Sequence, residues 1–141
     1  MIHACKKHCG MISSWADLLT RIVVGLIFIV TGYGKLFAAP GISGFSGMLA
    51  GLGFPAPTFF AVLVGVIEFA GGILMILGIF TSAAASLLAF IMLVAVVAVH
   101  LKAGWTGFQY QLLLMVVLLR YVGTAGKYSL EHYFCTGKKK Q

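Results

Sequence analysis

The chain has 141 residues, of which 61% are hydrophobic and 9% are charged, and its formal net charge is +7. Soluble domains carry about 25% charged residues, so this composition excludes an ordinary water-soluble core and indicates a single integral membrane domain. The basic residues lie at the ends of apolar runs and in the tails, without a nucleic-acid-binding motif. They therefore predict contact with anionic lipid head groups rather than with nucleic acid.

Four apolar stretches are close to the length that a membrane-spanning helix needs, about 20 residues for about 30 Å of hydrocarbon. They lie at residues 17–38, 58–79, 82–101 and 108–122, and the last is the shortest. A short amphipathic helix at the interface is expected at residues 45–52. These segments predict an all-α, integral membrane, antiparallel four-helix bundle whose longest connection joins the first two spans.

The distribution of lysine and arginine predicts the orientation of the bundle. Most of these residues flank the two tails, whereas the opposite face carries only Lys35 and Lys102. The positive-inside rule then places both termini in the cytoplasm of a cell (inner) membrane. The expected organisation is an N-terminal tail over residues 1–14, a membrane domain over 15–131 and a basic C-terminal tail over 132–141.

An alternative is that the first apolar segment is a cleaved signal peptide ending near residues 37–39. This alternative is disfavoured because the segment is long for such a peptide and contains Arg21 and Lys35. The three cysteines, Cys5, Cys9 and Cys135, all lie in the tails and match no zinc pattern. Cytoplasmic thiols stay reduced, so we expect free thiols and no metal site.

Glu68 is the first candidate for function, because it lies near the middle of the second span. It is the only acidic residue between Asp17 and Glu131. A carboxylate facing lipid is costly, so Glu68 is expected to point into the bundle. Depth along the helices favours Arg120 or Arg21 as its partner.

A second polar group is expected nearer the outer face of the membrane. It contains Lys35, His100 and Gln111. Together with Glu68 and the two arginines, these residues form the predicted polar cluster, which either binds a ligand or is structural. Each of the cations could instead extend to the head groups, as long basic side chains do at membrane interfaces.

Glycines mark the expected helix contacts. Gly25 and Gly32 share one face of the first span, and Gly65 and Gly72 share the face of Glu68 on the second. Helices in lipid pack through small residues that let two backbones approach closely. These four glycines are therefore predicted to lie between helices.

The intramembrane residues compose no complete catalytic set. A haem held by two histidines needs both at similar depth, and only His100 is available in the apolar spans. The spans also contain no cysteine, no paired carboxylates, no Ser-His-Asp set and no nucleotide loop. No catalytic residue, metal site or intrinsic cofactor is assigned, and a chain without activity of its own is favoured.

Four motifs stand out by their order and spacing. They are Arg21 with Gly32-Tyr-Gly-Lys35-Leu36; Gly53-Phe-Pro55; Glu68-Phe-Ala-Gly71-Gly72 continuing to Gly78-Ile-Phe-Thr81; and Gly123-Thr-Ala-Gly126-Lys127-Tyr-Ser129-Leu130. Together they resemble the motifs of the DoxX family of small four-helix membrane proteins, and the resemblance covers about residues 15–131. One departure is Gln111, where many relatives are expected to carry glutamate, and another is the extra residue between the two glycines of the last motif.

This resemblance implies a link to membrane redox chemistry. The family takes its name from a subunit associated with a terminal quinol oxidase, and a related protein belongs to a thiosulfate:quinone oxidoreductase. Another relative resembles a scaffold for soluble antioxidant enzymes. Two functions stay open. One is a non-catalytic subunit or scaffold that contacts a redox enzyme, and the other is a bundle that binds or transports a quinone or lipid. Either is compatible with a homo-oligomer.

Overall fold

The computed structural model describes the backbone of residues 2–100 and 105–122, and the side chains of residues 15–98 and 108–122. All regular secondary structure in these ranges is helical, which confirms the predicted fold class. One stretch of π-helix, Val96–His100, continues α4. The helices are α1 (Ile2–Leu36), α2 (Gly41–Gly51), α3 (Pro57–Leu77), α4 (Thr81–Ala95) and α5 (Trp105–Leu119).

At most of their ends, the apolar helices agree with the predicted spans to within a few residues. Three are long and apolar enough to cross a membrane: Trp15–Leu36, Pro57–Leu77 and Thr81–Ala98. The fourth apolar helix, Phe108–Leu119, is shorter, as expected. The helix α1 also continues back to Ile2, into the segment predicted as a tail, where the sequence contains no proline to stop it.

The two longest helices, α1 and α3, pack through the glycines that the spacing indicated. A Cβ atom added to Gly25 would lie 2.7 Å from the carbonyl oxygen of Gly72, and one added to Gly72 would lie 2.6 Å from that of Gly25. A Cβ atom on Gly32 would lie 2.9 Å from the carbonyl oxygen of Gly65. The two backbones touch, so larger residues here would separate the helices.

One end of the bundle joins the start of the apolar part of α1, Trp15–Leu36, to the segment that follows α5, and we call it the termini end. The hydroxyl of Tyr121 donates a hydrogen bond of 3.0 Å to the carbonyl oxygen of Asp17. The guanidinium of Arg120 lies 3.2 Å from the Asp17 carboxylate. Asp17 and the residues that follow α5 therefore lie on one side of the bundle. The compartment on that side stays a prediction.

Side chains from α1, α3, α4 and α5 fill the interior next to the termini end. This core includes Val24, Phe28, Met75, Leu88 and Leu118. Here α3 and α4 lie close together, since a Cβ atom on Gly71 would be 3.0 Å from Leu88. The opposite end, the α2 end, is closed less tightly and contains a cavity.

Candidate functional site

The cavity at the α2 end has a volume of about 720 Å³. All five helices contribute to its wall, and most of the described lining residues are apolar. Its floor is formed by residues that border the core, among them Phe28, Met92 and Leu114. Leu63 and Phe90 line the cavity and are 40% and 62% exposed, so the cavity is continuous with the surface of the bundle.

One ion pair lies in the wall of this apolar cavity. The ammonium nitrogen of Lys35 is 2.5 Å from Oε1 and 2.6 Å from Oε2 of Glu68. Glu68 is 1% exposed, whereas the side chain of Lys35 is 27% exposed. The carboxylate therefore points into the bundle, as expected, and the ammonium reaches it from the more open side.

The direction of the side chains explains why these two residues meet. Side chains on a helix lean toward its N-terminus. The helices α1 and α3 are antiparallel, so Lys35 leans toward the termini end and Glu68 leans toward the α2 end. The contact between Gly32 and Gly65 sets the register that places them about one helical turn apart. The four-carbon stem of Lys35 spans that distance.

The predicted partners of Glu68 were wrong. Arg120 pairs with Asp17 at the termini end, where its side chain is 68% exposed. Arg21 is buried and donates from Nε to the carbonyl oxygen of Met75 at 3.1 Å and from Nη2 to that of Ile76 at 3.4 Å. Depth counted along the helices from their ends ignores the lean of the side chains, and it therefore placed Glu68 with the arginines.

The role of Arg21 follows from the two carbonyl groups that it binds. Both lie in the last turn of α3, where backbone carbonyl groups lack partners within the helix. A cation there also interacts favourably with the negative end of the helix dipole. Arg21 thus holds the end of α3 against α1, away from the cavity.

The other members of the predicted cluster divide between the cavity and the part of the chain outside the described residues. Gln111 lines the cavity from α5, beside Tyr110. The side chain of His100 lies outside the described residues, as do the side chains of the three cysteines and the whole motif at residues 123–130. The structure thus brings together Lys35, Glu68 and Gln111.

Sequence reasoning missed the contribution of α2 to this site. Phe45, Met48 and Leu49 of α2 line the cavity, and Leu49 is buried. The Phe45 ring centroid is 5.0 Å from the ammonium of Lys35, a favourable cation–π distance. The apolar residues of α2 recur at positions 45, 48 and 49 between polar and glycine residues. This spacing indicates one apolar face on the helix, and it could have predicted that α2 packs on the bundle.

The π-helical stretch at residues 96–100 was also missed. Such stretches are rare, and they occur often at functional sites. This one adjoins the cavity, because Ala98 contributes to the wall. The sequence of residues 96–100 contains no distinctive motif, so it does not indicate a π-helix.

The chemistry of the described site is that of a single ion pair in an apolar wall. The pair supplies one ammonium and one carboxylate, and the wall around them is apolar. In the described part of the chain, no three histidine, cysteine, aspartate or glutamate side chains gather as a metal site would need. The fold and the site together define an integral membrane helical bundle with an ion pair, whose carboxylate is buried, beside an apolar cavity.

Comparison with known proteins agrees with that class. The model of the DoxX family matches residues 16–101. "Putative oxidoreductase CatD" of Bacillus subtilis is 34% identical over 125 residues, which cover 86% of this chain and 89% of that protein. The chain therefore belongs to the DoxX family, as its motifs indicated.

Two further relatives match over shorter regions. "Inner membrane protein YphA" of Escherichia coli is 38% identical over 90 residues, which cover 64% of this chain and 62% of that protein. "Uncharacterized membrane protein Rv3486" of Mycobacterium tuberculosis is 42% identical over 83 residues, or 59% of this chain and 50% of that protein. No solved structure matches the chain.

Proposed function

We propose that the bundle binds an amphiphile, of the quinone or lipid class, inside the cavity at the α2 end. The observation that carries this proposal is the ion pair of the buried Glu68 with Lys35 in the wall of an otherwise apolar cavity. Intramembrane ionisable residues are costly and are usually functional.

The dimensions and chemistry of the cavity support this proposal. Ligand sites commonly have volumes of about 300–1,000 Å³, are mostly apolar and carry a few polar groups that orient the ligand. Here the cavity measures about 720 Å³. Its described polar side chains are Thr31, Lys35, Glu68, Tyr110 and Gln111. An amphiphile would place its head near these groups and its tail along the apolar wall.

Native mass spectrometry of the full chain, extracted from its membrane in mild detergent, tests the proposal. We expect a bound small molecule that Val64→Trp displaces, because Val64 lines the cavity. The matched control is Val66→Trp, two residues along α3, which is 48% exposed and lies outside the described lining. A protein that is empty, or that loses its ligand equally in both variants, would contradict binding at this site.

A second candidate function is that of a non-catalytic subunit or scaffold of a membrane redox complex. It is favoured by the name of the Bacillus subtilis relative, "Putative oxidoreductase CatD", which matches over most of both chains. Affinity purification in mild detergent is expected to recover a redox enzyme with this chain. Repeated recovery of the chain alone would count against this function.

The orientation in the membrane is part of the proposal. We place the protein in a cell (inner) membrane with the termini end facing the cytoplasm. Support comes from the excess of lysine and arginine toward the tails and from the relative named "Inner membrane protein YphA".

A further inference from the structure

We propose that the cavity selects amphiphiles with an uncharged head group, and that the pair of Lys35 and Glu68 excludes charged ones. This inference rests on the proposed binding function and names the ligand class. The preferred ligand has one long apolar chain and a head that both accepts and donates hydrogen bonds, as a primary amide does. Selection follows from the charges, contacts and burial of the two side chains.

The site as described has no net charge to offer a ligand. Among the described residues that line the cavity, Lys35 and Glu68 are the charged ones. Both carboxylate oxygens lie within 2.6 Å of the ammonium, so the two charges neutralise each other directly. A charged head group would leave one charge at this place without a partner of opposite sign.

An anionic head group would have to compete with Glu68 for Lys35. Glu68 is 1% exposed and has a short stem, so its carboxylate stays in the apolar wall once its partner turns away. Removing one partner from a buried pair is strongly destabilising, because an uncompensated charge is left behind. A cationic head would displace Lys35 and create the same imbalance with the opposite sign.

An uncharged head group can bind without breaking the pair. An ammonium has three N–H donors, and Lys35 directs its short contacts to the two oxygens of Glu68. Its third N–H group can donate a hydrogen bond to a carbonyl oxygen of the ligand. A carboxylate has about four lone-pair sites, so Glu68 can also accept a hydrogen bond from an N–H or O–H group of the same head.

Competition between three ligands that share one chain tests the selection. The purified full chain is incubated with equal amounts of hexadecanamide, hexadecanesulfonate and hexadecylamine, and the complexes are counted by native mass spectrometry. We expect the amide complex to exceed each of the others about tenfold or more, equivalent to about 1.4 kcal/mol. A wild-type protein that prefers the sulfonate or the amine would overturn the proposal without any variant.

Single substitutions should reverse the preference in opposite directions. Glu68→Gln leaves the ammonium and is expected to favour the sulfonate, whereas Lys35→Gln leaves the carboxylate and is expected to favour the amine. The control is Asp17→Asn, which removes one negative charge at the termini end, away from the cavity. It is expected to keep the preference for the amide.

The outcomes separate this inference from the function on which it rests. Binding of all three ligands without preference, or an unchanged preference in folded Glu68→Gln, contradicts the selection and leaves binding in place. If none of the three binds and the protein carries no molecule from its membrane, the proposed function itself fails. If either variant does not fold, the competition among the three ligands in the wild-type protein still tests the selection.

Discussion

Lys35 and Glu68 form one ion pair, but they differ in how well each charge could be solvated if its partner were removed. Lys35 has a long, partly exposed side chain that can move its charge toward the surface, whereas the carboxylate of Glu68 is enclosed. The cost of losing a partner should therefore fall unequally on the two residues. A stranded carboxylate stays buried, and a stranded ammonium can be solvated.

Lys35→Met is accordingly expected to destabilise the protein more than Glu68→Gln does. The expected loss for Lys35→Met is about 3 kcal/mol, the lower end of the range for breaking a buried pair. The double variant Lys35→Met/Glu68→Leu should recover much of that loss, because it leaves no uncompensated charge. Reversible unfolding in detergent measures all three. Equal losses in the two single variants, or an additive double variant, would contradict this account.

At the scale of helices, close contact of α1 with α3 sets the position of the pair. A Cβ atom on Gly32 would lie 2.5 Å from the backbone nitrogen of Phe69, which has no flexible end that could yield. Gly34, in the same helix, has nothing within 4 Å of the same added atom. The two glycines thus provide a matched comparison.

Gly32→Ala is expected to destabilise the protein by about 1–3 kcal/mol, as overpacking does. Gly34→Ala should be neutral or stabilising by up to about 1 kcal/mol, because alanine favours a helix more than glycine does. Thermal unfolding of both variants in one detergent checks the difference. A stable Gly32→Ala protein with unaltered ligand binding would show that α1 and α3 do not touch there.

A second contact between elements closes the termini end. Tyr121 is 1% exposed, and its hydroxyl binds the backbone of α1 at Asp17. Tyr121→Phe should therefore cost about 1 kcal/mol, the usual value of one hydrogen bond, and more if the carbonyl group is left unpaired. Tyr33→Phe serves as the control, because Tyr33 is 54% exposed. Equal unfolding temperatures for the two variants would argue against this contact.

The elements differ in how far the sequence predicts them, for physical reasons. Hydropathy and length are local properties, so the apolar spans and the glycine face of α1 could be read directly. The inward direction of Glu68 followed from the cost of placing a carboxylate in lipid. Its partner could not be predicted, because that choice depends on the register between α1 and α3. The cavity depends on how far the helices separate, which no single helix encodes.

For the whole molecule, the common position of Asp17 and Tyr121 supports an even number of crossings. Reporter fusions at Lys139 and near Trp105 are expected to report opposite compartments, with Lys139 in the cytoplasm. The physical reason is the excess of basic residues on the side of the tails. The same compartment for both fusions would overturn the arrangement of four spans.

The bundle as a whole is closed at the termini end and hollow at the α2 end. The central claim is that an amphiphile occupies this hollow with its head beside Lys35 and Glu68. Photolabelling with hexadecanol that carries a diazirine next to its hydroxyl tests this most directly. We expect the label on cavity residues such as Thr31, Lys35 or Tyr110. Label confined to outward-facing residues such as Val23 and Leu26 would contradict the claim.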